Sequence, residues 1–147
     1  MAKTIQTIQA LILAKLSALE VDIAHNPLFK IVTDKCIGTF TGYPAAVVTP
    51  TGGNGKVEDT AVNERVLSFN ILLYQEQSEQ ATDKTDATLK MTEICDAVMK
   101  AFDIDPTLGR EVAKVEVVDF AFDFKAQTGT WNFATFKINA VILVSHY

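Results

Sequence analysis

Several residue types are scarce in this chain, and each shortage closes off a class of protein. Of 147 residues only two are cysteine, Cys36 and Cys95. One bridge between them is conceivable, but two cysteines without an export signal read more simply as reduced thiols, and no zinc site follows from them. Long apolar runs are missing: the longest, 10–14 and 140–144, hold five residues each, far short of the roughly 20 that cross a bilayer. Basic residues are outnumbered 13 to 18, leaving a net charge of −5, so no chain-wide cationic surface exists to neutralise phosphates and a sequence-reading DNA binder is not expected. The segment Met1-Ala2-Lys3-Thr4-Ile5-Gln6 lacks the basic cluster, apolar stretch and cleavage site of a secretory signal, so the protein is expected to stay in the cytoplasm where it is made.

Catalytic constellations are scarce too. His25 and His146 are the two imidazoles, and neither has Ser, Cys or an acid at a spacing that identifies a triad. In Gly52-Gly53-Asn54-Gly55-Lys56 a phosphate loop would need Gly six residues before the lysine, where Pro50 stands, and Ser or Thr after it, where Val57 stands. Asp103 and Asp105 could donate carboxylates to a divalent cation, yet they sit at a helix end before Pro106, where acids are common without function. No catalytic residue, metal site or cofactor is therefore assigned, and the chain is not expected to be an enzyme.

What is present is a folded composition, 48% hydrophobic and 21% charged, long enough for one domain over 1–147. Ile5, Ile8, Ile12, Leu16 and Leu19 recur at helical spacing and predict an N-terminal amphipathic helix. Asn26-Pro27 marks a turn, followed by a short strand within 28–33. Tyr43 to Pro50 reads as an extended segment bracketed by prolines, and Thr51 to about Asn63 as a flexible glycine-rich loop. From Arg65 to Tyr74 the alternation predicts a long strand. Ala87, Met91, Ile94, Val98 and Phe102 stripe a second helix, with Cys95 beside the stripe as a small buried hydrophobe. Alternation returns with Val118, Phe120, Phe122 and Phe124 on one face, then a turn near Gly129 and a strand from Trp131 to Ser145. The expected fold is α+β: a mainly antiparallel sheet with the N-terminal helix and the second helix packed on it, and a long C-terminal β-hairpin.

The last strand would extend about 50 Å, beyond the roughly 40 Å diameter of a compact domain this size. Either it bends and closes the monomer's own core, or it overhangs with unpaired backbone and with Phe122, Phe124, Trp131 and Phe133 near its turn, in which case it wants a neighbour. Leu89, opposite the Met91-Ile94-Val98 stripe, reads as an isolated exposed leucine or as part of the same contact. From Glu76 to Asp103 the acids Glu76, Glu79, Asp83, Asp86, Glu93, Asp96 and Asp103 outnumber Lys84, Lys90 and Lys100; this is a solvated face, or the lining of a passage to which DNA does not stick.

Taken in order, the amphipathic helix, Tyr43-Pro44-Ala45-Ala46-Val47-Val48-Thr49-Pro50, the loop after it, Asn63-Glu64-Arg65 leading into Phe69-Asn70-Ile71-Leu72-Leu73-Tyr74-Gln75, and a helix with a closing hairpin make the chain resemble the tail-terminator, or tail-completion, proteins of long-tailed bacteriophages. The resemblance spans nearly the whole chain and is one of element order rather than of a chemical motif. It implies a virion structural protein, located at the head-proximal end of the tail and assembled in the host cytoplasm. Copies would form a ring, usually a hexamer, that caps the tail tube, stops its polymerisation and joins the head or neck. The implied partners are other copies of the chain, the tube protein and a neck or head-completion protein, with DNA passing through the lumen without specific binding and no membrane involved. On this reading Phe122, Phe124, Trp131, Phe133 and Leu89 are candidates for the subunit interface. Gly52, Gly53, Asn54, Gly55, Lys56 and Arg65 are candidates for contact with tube or neck, Arg65 pairing with a carboxylate on a neighbour or within its own chain. The alternatives are a small α+β ligand-binding domain or enzyme acting as monomer or dimer, and an adaptor offering Tyr43 to Pro50 as an edge strand.

Overall fold

The computed structural model describes residues 4–20, 27–35, 45–57, 62–76, 84–124 and 131–145, with side chains over 4–20, 27–35, 45–53, 64–74, 92–121 and 134–143. Helix α1 spans Ile5–Ser17 and begins at a capping box: the Thr7 N–H donates to Thr4 Oγ1 at 3.1 Å and the Thr4 N–H to Thr7 Oγ1 at 2.8 Å. Each threonine thereby satisfies a backbone donor that the first helical turn leaves without a partner. The helix buries Ile8, Ile12 and Leu16, while Ile5 at its open end stays exposed. Lys15 in the last turn complements the helix dipole.

Among the described residues five strands form one sheet in the order β1-β2-β3-β5-β4. They are β1 (Ile31–Thr33), β2 (Ala45–Val57), β3 (Val62–Glu76), β4 (Lys114–Phe124) and β5 (Trp131–Ser145), and helix α2 (Lys84–Ile104) lies between β3 and β4 in the chain. Only β1 and β2 pair in parallel; the other neighbours are antiparallel. The combination of helices and sheet is an α+β architecture.

The main core cluster lies on one face of the sheet. Register sets Ala46 and Val48 of β2 opposite Leu73 and Ile71 of β3, which in turn face Ala134 and Phe136 of β5. Opposed residues share a face in an antiparallel ladder, and these positions cluster with Ile8, Ile12 and Leu16 of α1 and with Ile94, Cys95, Val98 and Phe102 of α2. Both helices therefore bury their apolar stripes on the same side. Among the described residues Phe69, Phe102 and Phe136 are the largest fully buried side chains.

Three expectations need correcting. The glycine-rich stretch from Thr51 is strand rather than loop: β2 continues to Val57, pairing Gly53 with Leu67, Gly55 with Arg65 and Val57 with Asn63. Backbone hydrogen bonds to a neighbouring strand do not need side chains, so glycines can be held there by pairing alone. A register shift between Pro50 and Gly52 explains how a proline sits inside this strand, since bulges tolerate a missing N–H.

Secondly, β5 is not left with an unpaired overhang. All of it, from Trp131 opposite Glu76 to Ser145 opposite Val62, is paired with β3, which is equally long. The third correction concerns β4. Its register shifts between Val117 and Asp119, so Val117 opposes Ile138 and Phe120 opposes Phe136 on the core face. Val118 is the extra residue and is 51% exposed; it does not continue the face of Phe120.

Candidate functional site

Past Val48 strand β2 leaves the core, while β3 beside it stays backed by β5, where the buried Ala140 and Ile142 oppose Leu67 and Arg65. The buried run of β2 stops at Val48 and that of β3 begins at Phe69, whereas Thr51, Gly52, Gly53 and Arg65 are exposed. Of the six residues expected to contact tube or neck, the structure therefore places Gly52, Gly53 and Arg65 on an exposed, paired ribbon. The backbone of Asn54, Gly55 and Lys56 continues it, and their side chains lie outside the described residues. Among the described residues no acid forms an ion pair with Arg65.

At the base of this ribbon, on the face away from the helices, the β2 bulge opens a shallow depression of about 310 Å³ lined by Thr51, Gly52, Gly53, Ser68, Asn70 and Lys137. Ser68 Oγ donates to Asn139 Oδ1 at 2.7 Å, across a directly opposed pair of β3 and β5. The lining carries an ammonium, an amide and hydroxyls, a donor-rich surface open to solvent. Ser68, Asn70 and Lys137 were missed from sequence because each belongs to the polar side of an alternating strand, and only the β3–β5 register sets Lys137 opposite Asn70.

The expected subunit contact fares differently. The side chains of Phe122, Phe124, Trp131, Phe133 and Leu89 all lie outside the described residues. Their backbone positions are set by register: Phe122 and Phe124 oppose Ala134 and Asn132, while Phe133 and Trp131 oppose Tyr74 and Glu76. These are positions of opposite parity, so the two pairs do not occupy one row of the sheet. Exposed apolar surface that the sequence did not flag occurs nearby on β4, where Val118 is joined by Phe120, 44% exposed although its ring stacks on Phe136 with centroids 5.7 Å apart. The doubled valine at Val117-Val118 is the one sequence signal of this break in alternation.

Asp105 is engaged by the chain itself. Both its carboxylate oxygens accept the Gly109 N–H at 3.0 Å, Oδ1 accepts from the Thr107 hydroxyl at 3.3 Å, and Oδ2 lies 3.0 Å from the Lys15 ammonium. The Gly109 N–H, followed by Lys15, holds this carboxyl below its usual range. Asp103 is exposed. No group of three or more potential metal ligands occurs among the described residues. The Gly52–Lys56 stretch lies within a strand, not the strand-to-helix turn of a phosphate loop.

Cys95 is buried in the core, and that burial, with a smaller push from Asp96, raises its thiol to about 12. Cys36, His25 and His146 lie outside the described residues. On α2 the acids Glu93, Asp96 and Asp103 are exposed, as is Lys100. No helix of the structure, among the described residues, is long and apolar enough to cross a membrane. Compared with known proteins, the chain matches no family profile, and no curated protein matches it significantly.

Proposed function

We propose that the chain is a ring-forming structural subunit that caps the tail tube of a long-tailed bacteriophage, stops its growth and offers the surface on which head or neck is joined. The observation that carries this reading is the ribbon of β2 and β3. Strands of 13 and 15 residues, the longer about 50 Å from end to end, stay paired past Val48, where β2 leaves the core and β3 remains backed by Ala140 and Ile142 of β5. A paired sheet edge of this kind, backed by β5 and exposed along Gly52, Gly53 and Arg65, suits contact with a neighbouring tube or neck subunit better than a flexible loop would, because less conformational freedom is lost on binding.

In this reading β4 and β5 are the two strands of a C-terminal hairpin whose Phe122, Phe124, Trp131 and Phe133, with Leu89, meet the next protomer around a ring, a hexamer by resemblance. Glu93, Asp96 and Asp103 belong to a lumen wall that repels DNA. The protein acts without catalysis or cofactor, at the head-proximal end of the tail. Light scattering and electron microscopy of the protein, alone and mixed with its tube protein, test this: rings on tube ends are expected, and a species that forms no rings and ignores tube ends overturns it. Replacing Trp131 and Phe133 with serine is expected to abolish assembly with the fold retained.

The second reading, a small ligand-binding domain, is favoured by the donor-rich depression at Lys137, Asn70 and Ser68. Calorimetric titration with small dicarboxylates or phosphate, with Lys137→Ala as control, separates it from the first.

A further inference from the structure

The turn between α2 and β4 holds a strained residue that packing does not explain. Leu108 and Arg110 both have positive φ, 49° and 70°, a conformation unfavourable to any residue with a side chain and kept only where something holds it. Leu108 is held by its burial in the core. The Arg110 side chain is exposed, and among the described residues its guanidinium has no hydrogen bond or ion pair. Its N–H donates to Thr107 Oγ1 at 3.1 Å, a bond that glycine would make equally well. Glycine would also relieve the strain, so what the position keeps by carrying arginine is the side chain.

Arg110 lines a depression of about 290 Å³ with Glu111, Val112, Ala113, Ile142 and Leu143. Val112 and Ile142 are buried, whereas Leu143 is 58% exposed, so apolar surface lies open beside an unpaired cation. The acids nearby are already engaged: Glu111 has a partner within the chain, and Glu64, which opposes Leu143 from β3, lies within the field of Lys114. Backbone groups face the same space. Val141 accepts the Ala113 N–H at 2.9 Å, which fixes the side of β5 toward which its carbonyl points. Main-chain directions alternate along a strand, so the N–H and carbonyl of Leu143 point the same way, past the start of β4 at Lys114. Among the described residues neither has a backbone partner there.

The depression thus offers one donor and one acceptor of a strand edge, an apolar wall and a guanidinium. That set matches the end of a polypeptide: main chain for Leu143, an apolar terminal side chain for the wall, and a carboxylate for Arg110. The volume lies at the low end of the range for small-molecule pockets and suits a single large residue. We infer that this depression captures the C-terminal residue of a partner protein, an apolar residue such as leucine whose carboxylate pairs with Arg110 while its main chain lies along Leu143. The site is on the β5–β4 side of β3, away from the exposed part of β2, and does not depend on the tail-capping reading.

Nuclear magnetic resonance titration of the full chain with the blocked peptide acetyl-Thr-Val-Thr-Leu, ending in a free carboxylate, tests it. Saturable shifts are expected at the amides of 110–113 and 143, with a dissociation constant in the high micromolar range. The same peptide ending in a carboxamide is expected to bind about ten-fold more weakly, because the charge-assisted pair is lost. Arg110→Gly is expected to lose about the same factor while its thermal midpoint holds or rises, which separates loss of binding from loss of fold. Hexanoate carries the carboxylate and the apolar chain without main-chain amides, and binding as tight as the peptide's would overturn the assignment to a polypeptide end. Absence of saturable shifts, equal binding of acid and carboxamide, or undiminished binding by Arg110→Gly would overturn the inference as a whole. Failure to act on tube ends, with peptide binding intact, would overturn only the tail-capping reading.

Discussion

The Lys15 ammonium lies 3.0 Å from Asp105 Oδ2, an ion pair that ties the last turn of α1 to the turn that follows α2. The two residues are 90 positions apart, and Asp105 is also the acceptor that organises the turn, through Gly109 and Thr107. Because the folded carboxyl titrates below its unfolded value, its contribution is fully present above about pH 4 and is lost as the pH falls through the folded value. Urea unfolding of wild type and Asp105→Asn across pH 2–7 is expected to show a constant deficit in the variant at neutral pH that closes in acid. Lys15→Ala, removing one of the three partners of the carboxylate, is expected to cost less than Asp105→Asn.

Three consecutive residues of that turn, Leu108, Gly109 and Arg110, have positive φ of 49°, 70° and 70°. For an L-residue this region costs about 1–2 kcal/mol, so the turn is strained at Leu108 and Arg110 and relaxed at Gly109. Leu108 is held by burial, whereas Arg110 is exposed. Gly109→Ala is therefore expected to destabilise by about 1 kcal/mol, and Arg110→Gly to stabilise by up to about 1 kcal/mol once the added freedom of the unfolded chain is subtracted. Thermal unfolding of the two variants, which should move in opposite directions, checks both.

Gly53 is required for a different reason. A Cβ there would stand 2.3 Å from the Val66 carbonyl oxygen and 3.3 Å from Leu67 Cα, both backbone atoms that cannot swing aside. Gly53→Ala is expected to cost about 1–3 kcal/mol, and to do so locally. Hydrogen exchange should quicken at the amides of 64–68 while those of 94–102 in α2 keep their protection. Equal loss in both places would mean that the ribbon and the core unfold as one unit.

The helices and the middle of β5 were legible because side-chain periodicity announces them: Ile8, Ile12 and Leu16 at helical spacing, and Phe136, Ile138 and Ala140 alternating with Lys137 and Asn139. What hid the β2 extension is that Gly52, Gly53 and Gly55 carry no side chain to alternate, and turn-forming composition then outweighs a pairing with 63–68 that only the folded chain supplies. Val118 was misplaced because a single inserted residue reverses every later assignment on its strand. The depression at Ser68, Asn70 and Lys137, like the Lys15–Asp105 pair, joins residues distant in sequence, and no local spacing records such a meeting. Length alone also misled: a strand of 15 residues implied an unpaired overhang only until β3 proved equally long.

Cys95 offers a reporter of whether α2 stays docked. Its thiol is 1% exposed among Ile94, Val98 and Phe102, and burial pushes its ionisation to about 12. At pH 8 roughly one thiol in ten thousand is thiolate, the form that reacts, and reagents must still wait for the helix to lift. In Cys36→Ser protein, labelling of Cys95 is expected to be negligible under native conditions and to follow the unfolding curve point for point as urea is added. Since the folded thiol holds its proton more tightly than the unfolded one, stability from this group is present below about pH 9 and declines as the pH rises beyond it. That decline should be absent from Cys95→Ala, whatever the constant penalty of the truncation. Rapid native-state labelling would mean that the Ile94-Val98-Phe102 face leaves the sheet on its own, and the single core shared by both helices would have to be divided in two.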